Sequence, residues 1–338
     1  MRDLYFKNKI TFLNVILTFM IVVVHAKTPE RFGLALDWNY PFIYLISVFC
    51  KMATPLFFFI SALLFYKRCS FCDLERKFTA RIHTLLIPYL LWNIFFVTVY
   101  FTLSHLPFFS DRMNMGSVLA SPSQIIIAIL DSYHTDLWFV KNLMIFTLFA
   151  PVFLLLFRNN KLTVILFGIS IFLLFYLEPS HKDIFKWIPV YMMGAFWGYN
   201  WDDPKIGGII YGEKSKLFYF CVIVLFVVFY IHALFDDTYY LYRCVAPVLI
   251  WFITDGLFRN FISVLNIRKW MSYMFFIYCT HHFVLNVLQK LVVLSFPPSQ
   301  LVVNLTFVLS PIITVLLLIK IADIISGYKF YKVMCGRR

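Results

Sequence analysis

Apolar residues come in long runs from one end of the 338-residue chain to the other, and polar residues mark the breaks between them. A helix needs about 20 apolar residues to cross the ~30 Å hydrocarbon core of a bilayer. Ten runs reach or approach that length: residues 10–26, 41–66, 84–106, 137–157, 162–178, 186–200, 217–235, 243–258, 270–292 and 301–322. The pattern predicts an all-α, polytopic membrane protein with about ten transmembrane helices. No stretch between the runs is long enough for a sizeable soluble domain, so residues 1–338 read as a single integral membrane domain.

Polar residues inside the runs carry the next layer of information. In the first run, Asn14, Thr18 and His25 recur along one side. At about 100° per residue, eleven residues make three turns and roughly 20° more, so the three share one stripe of the helix. An ionisable group in a membrane span is costly, by about 3 kcal/mol for full charges on insertion scales. A histidine avoids much of that cost by staying neutral, which leaves it able to act as a base. The ninth run repeats the theme: Tyr278, His282, Asn286 and Gln289 follow a helical stripe, with His281 beside them, and are expected to face protein or a cavity. Lys51 falls near the middle of the second run and calls for a partner or a wet cavity. Asp255 is expected to meet Arg259 one turn on. Gly194 and Gly198 form a small-xxx-small pair in the sixth run, the spacing that lets two helices approach closely. The outer segment 107–136 ends in a stretch, 123–133, apolar enough to lie on the membrane surface.

Composition agrees. The chain is 62% hydrophobic and 14% charged, with a mean hydropathy of +0.81, whereas a soluble domain is about half apolar and a quarter charged. The net charge of +13 raises the question of nucleic acid, but the charge distribution answers it. More than two thirds of the 30 lysines and arginines fall on alternate connecting segments, which also include both chain ends. By the positive-inside rule those segments, and so both termini, are cytoplasmic. The basicity reflects topology, with lipid as the partner and no nucleic acid. The first run has a basic flank, but no small-x-small cleavage site follows it. Cys69 and Cys72 form a lone CxxC with no second pair, and metal-ligand spacing is absent, so no metal is expected.

Five stretches stand out in order along the chain: Ile21-Val-Val-Val-His25, Pro55-Leu-Phe-Phe-Phe-Ile-Ser61, Arg81 followed by Leu85-Leu-Ile-Pro88-Tyr-Leu-Leu-Trp92, Leu137-Trp138-Phe-Val-Lys141, and Ile277-Tyr278-Cys-Thr-His281. Together they resemble the acyltransferase-3 family of ten-span membrane acyltransferases. The likeness covers nearly the whole chain and rests on the order and spacing of the motifs. The chain departs from the family where Asn14 and Thr84 stand in place of arginines, Ala62 in place of glycine, Asp136 in place of a frequent histidine, and Lys141 in place of a common arginine.

The resemblance implies transfer of an acyl group, most often acetyl, from cytoplasmic acyl-CoA to a glycan or lipid-linked sugar on the far side of a cell membrane. On that reading His25, near the outer end of its span, is the base or acyl carrier. His281 is a second catalytic candidate, and a structural hydrogen bond with Tyr278 or across helices explains it equally well. Arg81, with Lys77 nearby, suits the phosphates of CoA by charge and bidentate hydrogen bonding, the alternative being a topology-fixing charge. Lys141 or Asn14 could donate to the thioester oxygen as charge develops on it. Trp138 and Tyr278 are candidates for substrate contact, and for Trp138 interfacial anchoring is the competing explanation. Two other function classes stay open: a polysaccharide exporter or flippase of the same fold, and a non-enzymatic membrane scaffold.

Overall fold

The computed structural model describes residues 2–105, 121–131, 135–180, 182–236 and 239–336. Among the described residues every regular element is helical. The first helices are α1 (Arg2–His25), α2 (Thr28–Arg31), α3 (Pro41–Cys50) and α4 (Ala53–Tyr66). Next come α5 (Leu74–Arg81), α6 (Ile87–Ser104), α7 (Pro122–Leu130), α8 (Trp138–Leu148) and α9 (Ala150–Phe157). They are followed by α10 (Asn160–Leu177), α11 (Ile188–Tyr199), α12 (Pro204–Tyr211) and α13 (Lys216–Ala233). The last are α14 (Tyr240–Ser263), α15 (Met274–Ser295), α16 (Gln300–Ile325) and α17 (Lys329–Met334). Residues 106–120 and 132–134 lie outside the described set, so the expected surface segment is seen only as α7. There Ser121 caps the helix by accepting from the Gln124 amide, and Ile126, Ile127 and Leu130 remain exposed.

Among the described residues eight helical segments are long and apolar enough to cross a membrane, or nine if α8 and α9 count as one broken span. Of the ten expected runs, the sixth forms a helix below that length. Its helix, α11, has twelve residues, about 18 Å at 1.5 Å per residue, well short of a bilayer core. A 3-10 turn, Ile184–Trp187, leads directly into α11, and most of its side chains are buried.

The chain divides into two compact units, residues 1–70 with 152–322 and residues 71–151 with 323–338. In the first, α11 packs on α4 at backbone contact. A Cβ added to Gly194 would lie 2.2 Å from the Phe59 carbonyl oxygen, and one on Gly198 would lie 2.5 Å from that of Leu63. The small-xxx-small pair therefore serves the close approach expected of it. Aromatic rings close the seam on either side: Phe58 stacks on Trp187 with centroids 4.9 Å apart, and Phe59 meets Trp197 edge-on at 5.1 Å. The break between α3 and α4 falls at Lys51–Met52. Pro55 follows in the first turn of α4, where its missing N–H costs least. Lys51 has a partner there, with its ammonium 3.6 Å from the centre of the Tyr239 ring.

The inner ends of α1 and α14 are joined by buried charge. Lys9 Nζ lies 2.8 Å from Asp255 Oδ1, with both side chains 5% exposed or less. The same ammonium donates to the Trp251 carbonyl at 2.9 Å and sits 3.6 Å over the Trp251 ring. Tyr5 donates its hydroxyl hydrogen to Asp255, and the Asn8 amide donates to the Ile262 carbonyl. Two expectations are corrected here. Asp255 pairs with Lys9 rather than with Arg259, whose guanidinium pairs with Glu213. Lys9 stands at the basic flank of the first run, where the charge distribution implies a topology-setting residue, but it is a core residue at 1% exposure.

In the second unit, α5 runs into α6 through a π-helical turn, Ile82–Leu86. Pro88 has no N–H to offer the carbonyl four residues back, so the helix must change its bonding pattern near that point. The chain's last turn packs on this irregularity. Gly336, at φ +62°, comes so close to Thr84 that a Cβ would lie 2.7 Å from its backbone. Trp92 fixes the same tail by donating Nε1–H to the Met334 carbonyl at 2.9 Å.

Candidate active site

The first unit brings three histidines together from two helices. His25 is the last residue of α1, and His281 and His282 lie in the second and third turns of α15. The His25 ring centroid is 5.1 Å from that of His281 and 4.8 Å from that of His282. His281 is fully buried, whereas His25 and His282 are half-buried.

The orientation of His281 defines its chemistry. Nδ1 lies 2.7 Å from the Tyr278 carbonyl oxygen and 3.2 Å from that of Ile277. A carbonyl can only accept, so Nδ1 carries the hydrogen and Nε2 is the basic nitrogen of the neutral ring. The hydrogen bond to Tyr278 raised from the sequence is present, made by the backbone of Tyr278. This bond does not exclude a chemical role, because it fixes the ring's tautomer and orientation. Tyr278 is 8% exposed and Gln289 fully buried, and the stripe of α15 faces protein as its periodicity implied.

The depth of the cluster differs from expectation. His25 ends its helix, but α15 continues thirteen residues past His282 to Ser295, a further ~20 Å. The chain after His25 also folds back along α15. The Gln289 amide donates to the Thr28 hydroxyl at 3.2 Å and to Ser310 at 3.1 Å. Arg31 donates to the Asn286 side-chain oxygen. His25 is therefore recessed beneath a polar layer made by α2, α15 and α16. Asn14 and Thr18 share its helix, Thr18 buried and Asn14 half-buried. Asn14 lies eleven residues back, about 16 Å along the axis, too far for it and His25 to touch one carbonyl.

The other candidates belong to the second unit. Lys77 and Arg81 lie one turn apart on α5, both half-buried, and Arg81 directly precedes the π turn. Trp138 opens α8 and is half-buried. Lys141 follows one turn later, its ammonium 2.5 Å from Asp131 on the unit's exposed side. Two neighbours are buried and polar: Asp136, singled out in the sequence only as standing where a histidine is frequent, at 3%, and Asn142, which the sequence reading passed over, at 1% exposure. A polar residue flanking Trp138 in an otherwise apolar run was the available signal.

A cavity of about 480 Å³ opens at the inner end of α1, lined by Tyr5, Lys9, Trp201, Trp251, Asp255 and Arg259 among others. Sixteen residues, about 24 Å of helix, separate Lys9 on its wall from His25.

Neither the curated proteins nor the solved structures contain a match to this chain. A family model does match: the Acyl_transf_3 model, described as an acyltransferase domain, covers residues 8–322. The matched range contains both histidine-bearing helices, Arg81 and Trp138. The chain is a multi-pass membrane protein and belongs to the acyltransferase-3 family of membrane acyltransferases.

Proposed function

We propose that the protein is an O-acyltransferase that moves an acyl group, acetyl as the reference case, from cytoplasmic acyl-CoA to a hydroxyl of an extracytoplasmic glycan or lipid-linked sugar. It would do so in the cell membrane, with both termini in the cytoplasm, as the distribution of basic residues supports. The observation that carries the reading is the pairing of His25 with His281, whose Nδ1–H is committed to the Tyr278 carbonyl.

His25 takes the proton from the acceptor hydroxyl as its oxygen adds to the thioester carbonyl. The tetrahedral intermediate then collapses, the carbon–sulfur bond breaks, and the departing CoA thiolate recovers the proton from the imidazolium. Atoms balance with one alcohol and one thioester giving one ester and one thiol. His281 presents Nε2 as a second basic site beside His25, suited to steadying the charged ring or passing the proton on. Tyr278 holds the tautomer of His281 through its carbonyl, and its side chain is assigned to the substrate. Asn14 is confined by its distance from His25 to the donor's arm rather than its reacting carbonyl. Arg81 and Lys77 are assigned to the CoA phosphates, Lys141 to the donor as well, and Trp138 to the acceptor.

The test supplies sealed membranes with labelled acetyl-CoA and candidate glycans, comparing the wild type with His25→Ala. Transfer is expected in the wild type, with a loss of about a hundredfold or more in the variant, the lower range of general-base effects. Undiminished transfer by a folded His25→Ala protein would remove His25 from the mechanism. Glycan movement without any acylation would favour the exporter.

A further inference from the structure

The polar layer above the histidines contains a cation without an anion. Arg31 ends α2, and its guanidinium donates to the neutral Asn286 side chain. Its Nε–H is buried and has no hydrogen-bond partner. The adjacent acid, Glu30, is engaged by Lys27 at 3.3 Å. Among the described residues no carboxylate pairs with Arg31. A guanidinium presents five donors in a fork that fits an oxyanion in two-point fashion, and here the fork is only partly used.

Its position is set by the reversal of the chain after His25. Along α15 the contacts run from His282, met by His25, through Asn286, met by Arg31, to Gln289, met by Thr28. Arg31 follows Thr28 in sequence but contacts the lower turn, so α2 directs the guanidinium back toward the imidazoles. Asn286 is four residues above His282, about 6 Å along the helix. One turn further, Gln289 is fully buried, and its Oε1 is an acceptor with no partner. An anion receptor and an unfilled acceptor thus follow the histidines along α15, about 6 Å and 10 Å beyond His282.

We propose that this layer recognises an anionic sugar, with Arg31 and Asn286 holding its carboxylate or phosphate and Gln289 taking a hydroxyl. The acceptor class is then an acidic glycan. This deepens the transferase reading and rests on it. The anion anchors the ring while a neighbouring hydroxyl faces His25, and Arg31 acts as a specificity-determining residue.

The test measures acetyl transfer from labelled acetyl-CoA by the full chain in membranes to three octyl glycosides: glucuronide, glucoside 6-phosphate and glucoside. The expected rate ratio of an anionic to the neutral acceptor is about tenfold to a hundredfold, the range for hydrogen bonds to a charged group. The carboxylate and phosphate arms identify which anion is preferred. In Arg31→Gln the ratio should collapse toward one. Asn286→Asp should do the same by supplying a resident carboxylate to Arg31, and it keeps the helix surface nearly unchanged. A ratio near one in the wild type, or a ratio that survives both substitutions, overturns the proposal while leaving the transferase standing. If no sugar is acetylated, the transferase reading fails. The layer is then read by thermal stabilisation of the purified protein with methyl glucuronide and glucose 6-phosphate against methyl glucoside. Stabilisation by an anion that is lost in Arg31→Gln supports the site, and equal response to all three refutes it.

Discussion

Replacing Asp255 with Asn isolates the buried ion pair at the inner ends of α1 and α14. The charges are 2.8 Å apart and both side chains are excluded from solvent. At an effective dielectric of about 20 their attraction is roughly 6 kcal/mol. Desolvation of both groups opposes it, so the net worth of the intact pair against an apolar pair is small. Removal of one partner is different, because Lys9 then stays in the core without a counter-charge. Such breaks cost about 3–5 kcal/mol. Lys9 retains the Trp251 carbonyl at 2.9 Å and the Trp251 ring at 3.6 Å, which places the expected loss toward the lower end of that range. The double variant Lys9→Met with Asp255→Leu removes both charges and should recover to within about 1 kcal/mol of the wild type. Equilibrium unfolding in mixed micelles measures all three, with Lys9→Met completing the cycle. A loss under about 1 kcal/mol in Asp255→Asn would refute the argument. So would a double variant as unstable as the single one, since the cost would then come from lost contacts rather than stranded charge.

Two further outcomes follow from contacts elsewhere in the fold. Gly194→Ala should cost at least about 1–3 kcal/mol, because the added carbon meets the Phe59 backbone and backbone cannot rotate aside; Gly168→Ala, on a helix with nothing within 4 Å, should be neutral or stabilising by up to about 1 kcal/mol. Thermal melts of the two proteins side by side check the contrast, and equal melting would refute the close-packing account. Arg81→Ala should raise the KM for acyl-CoA about tenfold or more with kcat little changed, the signature of lost ground-state binding to phosphate; an unchanged KM removes Arg81 from the donor site.

Much of the architecture is legible in the chain because it depends on local length and period. Apolar runs declare membrane helices, since backbone polar groups in lipid must be satisfied within the segment. The Gly194–Gly198 spacing declares a close helix contact, and the polar stripe of α15 declares an inward face. Each is a property of residues a few positions apart. The sixth run shows the limit of this reasoning. Its composition fits a span, but it does not name the Phe- and Trp-rich neighbours that bury α11 on α4.

What the sequence determined by itself is therefore the class of fold, the family, and the residue types from which chemistry can be drawn. Only the tertiary structure decided which of those residues meet. Lys9 and Asp255 are 246 positions apart, and no local rule distinguishes a lysine that marks the inner face from one that neutralises a buried acid. His25 was legible as an ionisable group in lipid, but its pairing with His281 and its depth beneath Arg31 depend on how α1 registers against α15. That register is set by packing between distant segments, where a shift of one helical turn would exchange every partner. Sequence period specifies which side of a helix faces inward; the neighbour that fills that side is chosen by the fold as a whole.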